Sequence, residues 1–282
     1  MKLIHRVDDL RAQITAWRPD YRIGFVPTMG NLHAGHLALI EEAHRHADRI
    51  VSSVFVNPMQ FGEGEDFDAY PRTLEADSAK LEQVGTHLLF APPVELMYPR
   101  PAAEQTRVEV PELSDQLCGA SRPGHFVGVA TIVCKLFNLV QPDVAVFGKK
   151  DYQQLMVIRR MVEDLDLPVD IVGMDTVRED DGLAMSSRNG YLDTEQRQRA
   201  PLLYRVMREV AEQLRDKPDE LTHLPAVAEQ RLAAGGFRPD YFSIRRAADL
   251  QAAEAGDREL VILAAAYLGK ARLIDNLEVN LD

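Results

Sequence analysis

Residues Val26–His36 read VPTMGNLHAGH: an apolar run, a proline and two glycines, then two histidines three positions apart where a helical pattern begins. A glycine-bearing step from strand to helix is the first joint of a βαβ unit, and the sequence on either side extends the same pattern. The runs RIGFVP, RIVSSVFV, THLLFA, VAVFG and VDIVGM alternate with segments His36–His46, Thr73–Val84, Val127–Leu139 and Tyr152–Leu165, in which apolar residues recur three and four apart.

This alternation predicts an α/β fold, a Rossmann-like doubly wound parallel sheet over residues 1–175. After Met174 the pattern changes. Helices are expected at Thr194–Arg215 and Leu224–Ala234, then strands DYFSIRR, ELVILAAAYL and ARLIDNLEV, giving a smaller C-terminal α+β domain over residues 176–282. Two long connections, NPMQFGEGEDFDAYPR and PPVELMYPRPAAEQ, carry polar residues usable at a site.

The 282 residues are 46% hydrophobic and carry 32 basic against 44 acidic side chains, a net charge of −12. That balance argues against nucleic acid or an anionic membrane as partner, so an anionic ligand must meet a local basic pocket. The two cysteines, Cys118 and Cys134, fit small buried side chains in a reducing compartment. The opening MKLIHRVDDL has no apolar signal core and no long apolar span follows, so a soluble cytoplasmic protein is expected.

Ligands of an open parallel sheet settle beyond the carboxyl ends of its strands, where the strand order reverses, and the first βα turn is a usual place. Gly30 and Gly35 let backbone approach a ligand there, and the following helix turns N–H groups and a positive dipole end toward phosphate. Neither G-x-G-x-x-G after the strand nor G-x-x-x-x-G-K-[ST] is present. A zinc reading of His33 and His36 lacks a third ligand at a matching spacing.

H-x-G-H at the start of the first helix resembles the signature of the adenylyl-transferring superfamily that includes class I aminoacyl-tRNA synthetases, and AMSSRN at Ala184–Asn189 stands where its KMSKS loop would. VPTMGNLHAGH, VFVNPMQF, SRPGHFVGVATIV, FGKKDYQQL and GLAMSSRN, in this order, resemble the pantoate–β-alanine ligases.

The resemblance implies ATP-dependent, AMP-forming condensation of (R)-pantoate with β-alanine through a pantoyl adenylate, with ATP and Mg²⁺, in a homodimer whose C-terminal domain acts as a lid. It assigns ATP contacts to Met29, Gly30, Asn31, Leu32, His33, Ala34, Gly35, His36, Gly148, Lys149, Lys150, Asp151, Val177, Met185, Ser186, Ser187 and Arg188, and holds pantoate or β-alanine at Gln60 and Gln154. His36, His33, Lys150, Ser186, Ser187 and Arg188 carry the catalytic expectation, with His36 as proton donor or charge stabiliser. Ala184 and Ser187 replace the two lysines of KMSKS, and Lys149 and Lys150 are expected to compensate. Asn57 could either cap the strand end or join the pocket, and Arg122 with His125, on a glycine-rich loop before a helix, are candidate ligands for anions. Asp66, Asp68 and Asp77 are available to Mg²⁺, or are simply solvated. The rival readings are a nucleotidyltransferase of the same superfamily, an ATP-sensing module and a zinc hydrolase.

Overall fold

The computed structural model describes the backbone of residues 1–282 and every side chain except that of residue 219. It divides into two compact units: Met1–Gly148 with Gln154–Asp175, and Lys149–Gln153 with Thr176–Asp282.

The first unit holds six strands, β1 (Lys2–Ile4), β2 (Ile23–Thr28), β3 (Arg49–Val54), β4 (Leu88–Phe90), β5 (Val144–Gly148) and β6 (Asp170–Met174), in the spatial order β1-β4-β3-β2-β5-β6. Every pairing is parallel, with Ile23 opposite Arg49 and Gly24 opposite Val144. From β2 the chain steps outward to β3 and β4 on one side, then returns to place β5 and β6 on the other. The strand order therefore reverses at β2, and VPTMGNLHAGH occupies the switch point expected of a doubly wound sheet.

Apolar side chains explain the layering. Val26 of β2, Ile50 of β3 and Val146 of β5 are buried under the helix Ala34–Ala43, which covers them with Leu39, Ile40 and Ala43, while Phe25 faces the other side of the sheet with its ring 6.3 Å from that of Phe137. Each such side chain contributes about 1.5–3 kcal/mol when withdrawn from water. The helix begins at Ala34, two residues before the predicted start, because His33 already has the extended backbone of an N-cap. Two further elements add to those expected: β1, which is three residues long and buries only Ile4, and the helix Val7–Trp17, which buries only Leu10 and Ile14.

The second unit is an antiparallel sheet of β7 (Arg238–Arg246), β8 (Glu259–Leu268) and β9 (Ala271–Asn280), in sequence order. The helix Leu202–Asp216 packs a face of Leu203, Val206, Met207, Val210 and Leu214 into its core with Leu260, Ile262 and Leu273 of the sheet. The single helix predicted over Thr194–Arg215 is two, Thr194–Arg199 and Leu202–Asp216. Pro201 lacks the N–H that an unbroken helix would need there, and it caps the second piece instead.

Candidate active site

The loop between β2 and its helix is held open by backbone conformation and by one buried carboxylate. Gly30 (φ 85°) and Asn31 (φ 52°) are both left-handed, and a Cβ at Gly30 would lie 3.0 Å from both Asp77 Oδ2 and Val54 Cγ1. The Asn31 and Leu32 N–H groups donate to Asp77 Oδ2 (2.9 Å) and Oδ1 (2.8 Å). Thr73 Oγ1 donates to Oδ2 at 2.9 Å, and Lys80 Nζ donates to the Leu32 carbonyl at 2.7 Å. Asp77 and Lys80 lie three apart on the helix Leu74–Gln83, hence on one face, and together grip Leu32 by its N–H and its C=O.

Beyond this grip Ala34 and Gly35 open the helix. The His33 N–H donates to His36 Nδ1 (3.3 Å) and the two rings stand 4.0 Å apart. Because Nδ1 accepts, the neutral His36 ring carries its proton on Nε2, the arrangement of a donor at a helix amino end. Asp77 is fully buried, so of the acidic residues offered to Mg²⁺ this one is neither solvated nor open to a metal. Among the described residues no three His, Cys, Asp or Glu gather as a metal-ion site, and the zinc reading of the histidine pair has no ligand set.

The polar residues that follow β3 gather at the short 3₁₀ turn Pro58–Gln60, where Asn57 caps the turn by accepting from Met59 N–H at 3.3 Å. Asn57 Nδ2 donates to Gln60 Oε1 (3.1 Å) and to the Gly128 carbonyl (3.1 Å), and Gln60 Nε2 donates to Met29 Sδ (3.2 Å). Gln60 is thereby brought against Met29, at the start of the loop that leads to the histidine pair, with its amide orientation set. Tyr98 Oη donates to Asn57 Oδ1 at 2.8 Å, and burial raises the phenol's pKa, which keeps it a neutral donor.

Arg122 and His125 do not form the anion site their composition suggests. Arg122 makes a two-pronged pair with Glu65 (2.7 and 2.5 Å), and His125 Nδ1 donates to the Gln60 carbonyl at 2.8 Å. Burial pushes the Glu65 pKa up, but the Arg122 hydrogen bond and charge outweigh it and hold the carboxyl below its ordinary value. This pair anchors the Gln60 backbone rather than presenting charge to a ligand. Gln154 is half-buried in the first turn of the helix Tyr152–Asp164.

The remaining nominated residues, apart from Gly148 at the end of β5, belong to the second unit. Val177 and Met185 are brought together by the bond from Met185 N–H to Val177 O (3.0 Å), beside an antiparallel bridge of Arg178 with Ala184. Ala184 is buried at this bridge, so a lysine of the KMSKS pattern would have to bury its charge there. Ser186 caps the 3₁₀ turn Ser187–Tyr191, its Oγ accepting from Arg188 N–H at 3.2 Å. Lys150 lines a small cavity with Ala184, Ser186 and Asn189. Lys149 is paired with Glu278 at 2.8 Å.

Sequence reasoning missed the use of Asp77, Tyr98 and Asn276. Asp77 clamps a loop 45 residues away. Asn276 donates to the carbonyls of Lys149 (2.7 Å) and Lys150 (2.8 Å) from the far end of the chain.

The sequence profile of the pantoate–β-alanine ligase family matches residues 2–278. A pantothenate synthetase of Pseudomonas fluorescens is 59% identical over all of this chain and 99% of its own. The crystal structure of pantothenate synthetase from Thermus thermophilus superposes with a TM-score of 0.92 at 49% identity, covering 99% of this chain and 100% of its own. That of the Francisella tularensis pantoate–β-alanine ligase, complexed with β,γ ATP and β-alanine, gives 0.83 at 32% identity over 98% and 97%. The chain belongs to the pantoate–β-alanine ligase family.

Proposed function

We propose that the protein joins pantoate to β-alanine in two steps, with the residues named above in the following roles. A pantoate carboxylate oxygen attacks the α-phosphorus of ATP; a C–O–P bond forms, the Pα–O bond to the leaving group breaks, and pyrophosphate departs. The β-alanine amine then attacks the acyl carbon, the C–O bond to AMP breaks, and the amine loses a proton as the amide forms. Both steps build charge on phosphate oxygens, so fixed donors and cations aimed there lower the barrier.

Met29–His36 bind the nucleotide, with His36 Nε2–H donating to a phosphate oxygen and His33 beside it. Gly148–Asp151, Val177 and Met185–Arg188 complete the ATP contacts. Lys150 acts as a point cation, Arg188 as a fork, and Ser186 and Ser187 as hydroxyl donors. Gln60 and Gln154 hold pantoate by neutral amides, Gln60 also serving β-alanine. Mg²⁺ would arrive with ATP, held largely through phosphate oxygens and water. Its charge would offset that of the phosphates. The protein acts in the cytoplasm as a homodimer; no helix among its described residues is long and apolar enough to cross a membrane.

The observation that carries this reading is the histidine pair at the amino end of the helix leaving β2, where the strand order reverses. Incubation with MgATP, pantoate and β-alanine, omitting each in turn, tests it. Pyrophosphate is expected with pantoate alone and AMP in equal amount only when β-alanine is added. Pyrophosphate without AMP in the complete mixture would indicate a nucleotidyltransferase. His36→Ala is expected to abolish pyrophosphate release with the fold intact; normal release would overturn the role given to His36.

A further inference from the structure

We propose that Asn276 is a positioning residue for Lys150, fixing the direction in which that lysine presents its charge; the inference rests on the reading of Lys150 as a phosphate ligand. Asn276 lies in the middle of β9, and its side-chain amide donates both hydrogens, to Lys149 O (2.7 Å) and to Lys150 O (2.8 Å). These carbonyls belong to the two peptide planes on either side of the Lys150 Cα. Each plane is rigid, so pinning both fixes the two soft torsions of Lys150 and with them its Cα–Cβ vector.

Asparagine is the residue this requires. Aspartate has no donor to give, serine has one, and lysine would set a second cation beside the first. Asn276 is only 6% exposed, so its amide cannot turn to water without loss.

Asn276 is itself held by its neighbour. Asp275, whose side chain is 3% exposed, accepts the Asn276 N–H at 2.8 Å and a two-pronged pair from Arg178 at 2.6 and 2.9 Å. Arg178 also donates to the Gly182 carbonyl at 3.1 Å and lies 3.5 Å over the Tyr204 ring. The same β9 dipeptide thus ties the lysine turn to the 178–184 hairpin that carries Val177 and Met185. Lys150 shares its small cavity with Ser186 and Asp275.

The test is a double-mutant cycle of Asn276→Ala and Lys150→Ala, read as pyrophosphate release under single-turnover conditions, with KM for ATP and pantoate and the thermal midpoint measured in parallel. Asn276→Ala is expected to lower the rate by about a hundredfold, the cost of a misplacement near 1 Å, with KM for pantoate unchanged. In the Lys150→Ala background it is expected to add less than about threefold. Asn276→Asp, which keeps the shape without the donors, is expected to match the alanine variant and serves in its place if that one fails to fold. Losses that multiply, or wild-type rates in both Asn276 variants while Lys150→Ala is impaired, would overturn the proposal and leave the role of Lys150 standing. A fully active Lys150→Ala would overturn both.

Discussion

Asp77→Ala removes the acceptor for three donors at once: the Leu32 and Asn31 N–H groups and the Thr73 hydroxyl. Leu32 is 3% exposed and its N–H finds no water in exchange, so its orphaning costs about 1–3 kcal/mol; Asn31 and Thr73 lie nearer solvent and recover part of their loss. A total of about 3 kcal/mol follows, or about 6–12 °C in the midpoint of a unit this size. The catalytic cost adds to it, since the released segment leads straight into His33 and His36 and about a hundredfold loss of adenylation is expected from a shift near 1 Å. Asp77→Asn separates the two effects. Its one carbonyl oxygen serves one of the two N–H groups while its NH₂ faces the other, so stability falls less than in the alanine variant and the rate falls nearly as far. Calorimetry and pyrophosphate release on the same preparations decide. Both variants within about 0.5 kcal/mol of wild type and fully active would refute the view that this carboxylate sets the loop.

Two further substitutions probe the Gln60 pocket. Gly128 lies on the helix His125–Val140, and a Cβ there would stand 2.3 Å from Met59 O and 2.6 Å from Gln60 N. Gly128→Ala is expected to cost about 1–3 kcal/mol by overpacking despite its better helix propensity, and to raise KM for pantoate more than KM for ATP; an unchanged or higher midpoint would refute it. Glu65 is held below its ordinary carboxylate pKa, so the stability it contributes is present above about pH 4.5 and is lost as pH falls through the folded value. Glu65→Gln should therefore lower the thermal midpoint near neutrality and converge with wild type in acid. Parallel midpoint curves across that range would contradict the assignment.

The parts of the molecule legible in the sequence are those whose signal is local. Val26–His36 shows its strand, turn and helix within eleven residues, and the β-branched runs of β2, β3 and β5 bury the residues their pattern marks. β1 escapes because three residues make no period. The piece before Pro201, TEQRQR, holds no apolar residue, so no period marks where it ends, and the proline is the one local sign of the break. Long-range pairings leave no such trace. Arg122 beside His125 in a glycine-bearing loop has the composition of an anion site, and only the fold brings Glu65 to cancel it. Asp77 reads as one more acidic helix residue until folding places it under Leu32.

The same distance-blindness governs the two adjacent lysines. In FGKKDYQQ nothing local separates Lys149 from Lys150, and both could neutralise phosphate. Folding separates them by their carboxylate neighbours. Lys149 meets Glu278 at 2.8 Å, whereas the carboxylate paired with Lys150 is its sequence neighbour Asp151 at 3.9 Å, with the Asp151 side chain half exposed. Attraction weakens with separation and with solvent between the charges, so Lys150 keeps more of its field for an incoming anion. In a chain of net charge −12 a cation without a close carboxylate counts for more when the ligand is a polyphosphate. Arg122, Arg178, Arg197 and Arg272 are likewise committed to Glu65, Asp275, Asp181 and Asp240. An acidic protein that binds ATP must leave a few cations uncompensated and hold them still, and a neutral amide such as Asn276 can hold a lysine without cancelling its charge as a carboxylate would.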